Sequence, residues 1–164
     1  MFTKDGLLKL REWAQTSLTT LLDHTASLPW EMLHKPLDGF GFPTLRGQLE
    51  HISGAEAFWV HVMLGKPWDH WPFHEVPDVT ELRRSFDVSY ELMRGCISGL
   101  GDAELAVPRE MAFPGGGAGS FSPALVVHHV VTHSFHHKGQ VVAMCRLLGY
   151  PSPETDLDAN SGNE

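Results

Sequence analysis

Between Ser122 and Pro151 the chain has little freedom. Ser122-Pro123 supplies an N-cap residue followed by proline at the first helical position. Gly149-Tyr150-Pro151 supplies a glycine suited to a helix C-terminus and then a residue that cannot continue the helix. The spacing predicts one long helix over residues 123–148. Five of the chain's eleven histidines fall inside it, at 128, 129, 133, 136 and 137.

Helical phase separates these histidines. At about 100° per residue, Val126, Val130, His133, His137, Val141, Met144 and Leu148 fall in one stripe of about 80°. That is the core-facing arc of a packed helix. His133 and His137 therefore point inward, side by side and one turn apart, and can grip one metal ion. His129 and His136 border the stripe, and His128 points away. The plainer reading is two buried neutral histidines, each hydrogen-bonded to a neighbouring helix. It stays open, although two adjacent imidazoles in a core are costly with nothing to bind them.

Three further helices are expected. Leu7, Leu10, Ala14, Leu18, Leu21, Thr25 and Leu28 recur at helical spacing over residues 5–27, with His24 at the edge. Residues 31–43, punctuated by Pro36, Gly39, Gly41 and Pro43, read as a connection. Thr44 caps a second helix to Leu64, with Gly65 after it. Its inward arc is expected to hold Leu45, Ile52, Ala55, Trp59, Val62 and Met63. His51 sits at the rim of that arc, flanked by Gly47 and Gly54, which leave space beside it. It is the best third ligand in the chain, and it also fits an ordinary boundary histidine. His61 lies on a more exposed side. Asp78 and Glu81 form a capping box for a third helix through Leu82, Phe86, Tyr90, Met93 and Ile97. Residues 102–121, broken by Pro108, Pro114 and Gly115-Gly116-Gly117, suit a hairpin or an extended loop. The aromatic, histidine-rich loop 66–77 must pack on something. A cover for the bundle end is the preferred reading, and one wall of a ligand pocket is the sharper one.

Composition narrows the function. A formal charge of −8 with no basic stripe argues against a nucleic-acid partner. No run approaches the ~18 apolar residues of a membrane span. Cys96 and Cys145 stand alone, without a CxxC spacing, which suggests a reducing compartment. The expectation is a soluble cytoplasmic protein with one domain over residues 1–164.

Four long helices predict an all-α protein, an up-and-down style four-helix bundle with a short irregular or hairpin segment before the last helix. His51, His133 and His137 would then form a three-histidine site with open positions, the ligand count of a catalytic zinc centre. Ser134 follows His133, so the HExxH motif of metalloproteases is excluded. The Glu-x-x-His pairs of di-iron bundles are missing as well.

The segment His133-Ser134-Phe135-His136-His137-Lys138-Gly139-Gln140, running into Cys145-Arg146-Leu147-Leu148-Gly149, resembles the final-helix signature of the DinB-like superfamily. The usual pattern there is a histidine, three residues, then His-Arg-Gly-Gln, and Lys138 replaces the arginine. Leu49-Glu50-His51-Ile52 matches the family's second-helix ligand position, and Pro153-Glu154-Thr155-Asp156-Leu157 is family-like. The resemblance implies a divalent metal, often nickel, zinc or iron, held by His51, His133 and His137, and a homodimer. A second apolar patch on the last helix, Val127, Val131, Phe135 and Val142, is consistent with a dimer.

The superfamily includes stress-related, thiol-dependent transferases and isomerases. Two function classes follow: a metal-dependent transferase of a low-molecular-weight thiol onto an electrophile, and a non-catalytic metal or small-molecule binding protein. A hydrolase using bound hydroxide is weaker, because no general base is evident beside the site. No catalytic side chain, thiol or electrophile can be named from the residues.

Overall fold

Four side chains start four long helices by accepting a hydrogen bond from the first turn. Thr3 accepts from the Gly6 N–H and begins α1, Lys4–Ala26. The short helix α2, Trp30–His34, follows. Thr44 accepts from the Gly47 N–H and begins α3, Leu45–Leu64. Asp78 accepts from the Glu81 N–H and begins α4, Val79–Ser98. After the short α5, Asp102–Ala106, a hairpin pairs β1, Arg109–Ala112, with β2, Ala118–Phe121. Ser122 then accepts from the Leu125 N–H, and Pro123 opens α6, Pro123–Leu147. The structure, a computed structural model, describes residues 2–68, 71–73 and 76–157.

The fold is all-α apart from the hairpin. The ends of the long helices fall within a residue or so of the boundaries expected from sequence. The two short helices α2 and α5 were not expected, since five residues carry too little periodicity to be seen. Of the hairpin and the extended loop that residues 102–121 could suit, the hairpin forms, antiparallel with Arg109 opposite Phe121 and Ala112 opposite Ala118. Its turn uses Gly116 and Gly117 at φ of 95° and 84°, a region open to glycine.

Neighbour relations set the layout of the bundle. α1 packs against α4 and α6, and α3 packs against the same two helices. That sets α1 opposite α3 and α4 opposite α6. In a simple up-and-down ring, successive helices would be neighbours; here the connections 27–44 and 99–122 carry the chain across the diagonal. Leu18, Leu21, Leu45, Leu49, Leu82, Phe86, Val141 and Met144 are among the buried residues that fill the space between the helices.

A buried ion pair bridges the first diagonal. Arg11 on α1 is 2% exposed, and its Nε and Nη2 donate to the two carboxylate oxygens of Glu56 on α3, at 2.5 and 2.6 Å. Ser89 on α4 donates to the same carboxylate, and the Tyr90 ring lies 4.9 Å from the guanidinium. Breaking such a buried, bidentate pair by removing one partner costs about 3–5 kcal/mol.

Two expected apolar faces turn out differently. Ala55 and Trp59 were expected in the core arc of α3, but they are only half-buried and line a cleft. Gln48, Leu49, Ser53 and Glu56 occupy the buried side in their place. On α6, Val127 and Val131 are buried within the chain at 1% and 6% exposure. The bundle itself therefore covers these two members of the patch, while Phe135 and Val142 are only half-buried. No helix among the described residues is long and apolar enough to cross a membrane.

Candidate metal centre

α3 and α6 run side by side, and the contact between them brings three imidazoles together. His51 comes from α3; His133 and His137 come from successive turns of α6. One ring nitrogen from each lies within 4.8 Å of the other two, close enough to hold a metal ion together. The Nε2 atoms of His51 and His133 are 3.2 Å apart. Two nitrogens about 2.1 Å from one ion and about 90–110° apart around it would be roughly 3.0–3.4 Å from each other. The spacing therefore suits a shared ion.

The tautomers can be read from one fixed point. Nε2 of Gln48 donates to the carbonyl oxygen of Phe42 at 3.0 Å, and a carbonyl can only accept. Gln48 Oε1 must then face Nδ1 of His137, 2.7 Å away, so that nitrogen carries the proton. Nε2 of His137 is left bare, as a ligand requires. The chain continues outward. Gln48 Nε2 also donates to Gln140 Oε1 at 2.7 Å, and Gln140 Nε2 donates to Nε2 of His136 at 2.8 Å. Gln48 is 0% exposed, while His136 is exposed. A line of hydrogen bonds thus runs from a core imidazole to the surface.

The site holds its histidines neutral. Burial, followed by the neighbouring imidazoles of His51 and others, lowers His133 and His137 to about 4. Burial alone lowers His51. Neutral imidazole is the form that binds a metal, so protons compete weakly here.

A family model for the DinB family matches residues 1–163. The chain belongs to the DinB family. It is 26% identical over 158 residues to Protein DinB of Bacillus subtilis (strain 168), a match that covers 93% of this chain and 91% of that protein.

The DinB pattern also frames the site's surroundings. Lys138 stands where the usual pattern has arginine. Its ammonium donates to Ser17 Oγ at 3.1 Å and to the Thr155 carbonyl at 2.5 Å, and it lies 4.1 Å from the Phe135 ring centroid. Ser17 donates to the same carbonyl. The residue after His137 thus ties α6 to α1 and to the segment beyond Tyr150.

On the open side, Phe42 stacks on His51 with ring centroids 4.1 Å apart. A cleft of about 520 Å³ lies beside it, bounded by Phe42, His51, His133, Glu50 and a set of aromatic rings. Trp68, Trp71 and Phe73 of loop 66–77 are among them, so the described part of that loop forms a wall of the cleft. Trp71 and Phe73 are also buried in the core cluster, so the covering role expected of the loop holds as well. Asp69, His70, His74 and Glu75 lie outside the described residues.

The remaining described histidines have other partners. His24 donates to the Tyr150 carbonyl, and His34 bonds the Trp30 carbonyl and Arg46. His61 and His128 each donate to the carbonyl one turn back. His129 packs its ring against Trp59 and His133. Cys96 and Cys145 are buried, and burial pushes both thiols up, Cys145 to about 11. Neither is an available nucleophile. Sequence reading missed Gln48, Phe42 and Glu50. The available signal for Gln48 was its place one turn before His51 on the same helix, a position matched by Gln140 one turn after His137.

Proposed function

We propose that His51, His133 and His137 hold one divalent metal ion, and that the protein transfers a low-molecular-weight thiol onto an electrophile bound in the adjoining cleft. The observation that carries this reading is the convergence of three neutral imidazoles, two of which, His51 and His133, line that cleft. Three histidine ligands leave open positions, unlike a closed structural site. A divalent ion held there would supply Lewis acidity that favours a thiolate over a thiol at neutral pH.

The chain's own residues do the positioning. Gln48 fixes the ring of His137 and its tautomer. Phe42 covers one face of His51 and limits access of water. Glu50 accepts from Arg46 Nε at 2.8 Å and from the Val76 N–H at 3.0 Å, which anchors loop 66–77 at the cleft edge. The nucleophile is the added thiol, since both cysteines are buried and protonated.

The second reading is a non-catalytic metal or small-molecule binding protein. One observation favours it: among the described residues, Glu50 is the one carboxylate lining the cleft, and its Oε1 is already engaged. That engagement also weakens a hydrolase reading, which needs a free base.

Metal analysis of untagged protein that has never met a nickel column tests the first step. The expected result is close to one ion per chain, lost in His133→Ala. A screen of small thiols against electrophiles tests the second. Turnover should need both metal and thiol and should survive the Cys96→Ser/Cys145→Ser double substitution. Turnover that vanishes with a cysteine and survives metal removal would overturn the mechanism. A loaded protein with no turnover on any pair would leave the binding reading as the better one.

A further inference from the structure

The cleft beside the histidines is walled mainly by ring faces and edges. Phe58 sits edge-on to Trp59 and to Trp68, with centroids 5.9 and 5.4 Å apart. Trp68 and Trp71 lie within 15° of parallel, 6.0 Å between centroids. Such walls favour a flat, apolar ring that can stack or meet an edge. A volume of about 520 Å³ suits a small aromatic molecule rather than a peptide or a lipid tail.

Charge sharpens the choice. No lysine or arginine lines the cleft among the described residues, and the four undescribed residues of loop 66–77 are two acids and two histidines. Arg46 approaches but is held by Glu50 and His34. A ligand carboxylate would meet Glu50 and, among the described residues, no lysine or arginine free to pair with it; an ion held by the histidines is the one cation it could reach. With its charge balanced by Arg46, Glu50 offers little to a cation either.

Gly54 supports an open cleft. It stands mid-helix in α3, where glycine costs about 1 kcal/mol relative to alanine. A methyl group there would meet only Trp71 Nε1, at an ordinary 3.7 Å. Packing therefore does not demand glycine. Gly47 differs: a methyl group would crowd the capping Thr44 hydroxyl at 3.1 Å. What the missing side chain at Gly54 preserves is space along the cleft wall.

We infer that this cleft binds a flat, uncharged aromatic molecule, the electrophile of the transfer reaction, and discriminates against aromatic carboxylates. The inference rests on the transfer reading of the same site for the word electrophile, but its binding claim can be tested separately. The probes are 1,3-dinitrobenzene and isophthalate, which share one ring and one substitution pattern and differ in charge. The zinc-loaded full chain, with its five tryptophans labelled on the indole nitrogen, reports the location.

Dinitrobenzene should shift the indole signals of Trp59, Trp68 and Trp71, which line the cleft, and leave Trp13 and Trp30 unmoved. Isophthalate should bind at least tenfold more weakly. Its carboxylates could reach for zinc, a bias that works against the expected result. Gly54→Leu should weaken dinitrobenzene at least tenfold with zinc content unchanged, and Ala55→Leu serves if Gly54→Leu does not fold. Equal or tighter binding of isophthalate, shifts confined to Trp13 and Trp30, or unchanged affinity in the filled variant would each overturn the inference. Thiol turnover is read separately with 1-chloro-2,4-dinitrobenzene, because neither probe carries a leaving group: the thiolate sulfur bonds to the ring carbon, the C–Cl bond breaks, chloride departs and the thiol proton passes to solvent. Dinitrobenzene binding without turnover of the chloro compound supports the cleft and counts against transfer; turnover of the chloro compound without dinitrobenzene binding at the cleft tryptophans overturns the cleft and leaves transfer standing.

Discussion

Replacing Gln48 should separate stability from metal affinity. The side chain makes three hydrogen bonds: it accepts from His137 Nδ1 and donates to Phe42 O and Gln140 Oε1. Gln48→Leu keeps most of the volume and removes all three. At a net of about 1 kcal/mol per bond, with more where a buried partner is left unpaired, the loss should be about 3–5 kcal/mol. For a chain of this size that corresponds to a fall in Tm of roughly 6–20 °C. Metal affinity should fall about 10- to 100-fold, since nothing then orients the His137 ring or fixes its proton.

Gln48→Glu is the control. A carboxylate still accepts from His137 Nδ1, and more strongly, so affinity should be kept or raised. It cannot donate to Phe42 O or Gln140 Oε1, so stability should still drop. The assays are thermal unfolding of the metal-free protein and competition for zinc against a chelating dye. Equal zinc affinity in the wild type and the leucine variant would refute the assigned role. So would a glutamate variant that loses stability and affinity together.

Other expectations follow from the same contacts. His51→Ala should lose the metal, whereas His34→Ala, His61→Ala and His128→Ala should keep it near stoichiometric, as measured by metal content per chain. The metal-free protein should lose stability as pH falls from the ordinary 6.5 towards about 4, because the unfolded chain takes up protons at His133 and His137 before the folded one does. Unfolding by urea across that pH range checks the direction, and a flat profile would count against it. Glu56→Leu alone should cost about 3–5 kcal/mol, while Arg11→Met with Glu56→Leu should recover most of the loss. Chemical denaturation of the two single variants and the double variant closes that cycle.

The bundle helices and their caps were legible because capping residues and a 3.6-residue period leave direct marks in sequence. His133 and His137 were legible for the same reason: phase alone turns them inward. The ion pair of Arg11 and Glu56 was not, because amphipathic reasoning places charged residues outside and cannot see a partner on another helix. Gln48 escaped for the same reason. Ala55 and Trp59 show a different limit. An apolar residue facing an open cleft and one facing the core look alike in sequence, so both were assigned to the core. The diagonal layout was hidden because loop length permits a crossing without requiring it.

That diagonal layout bears on the order of folding. Among the long helices, α3 and α4 are the one pair adjacent both in sequence and in space, joined by residues 65–78. Their contact closes the shortest loop, so a hairpin of α3 and α4 should form in the folding transition state, with α1 and α6 docking onto it. His51 would then stand in the early hairpin, while His133 and His137 arrive with α6. Metal could not nucleate such a process. It could only hold what has already assembled, so zinc should slow unfolding far more than it speeds folding.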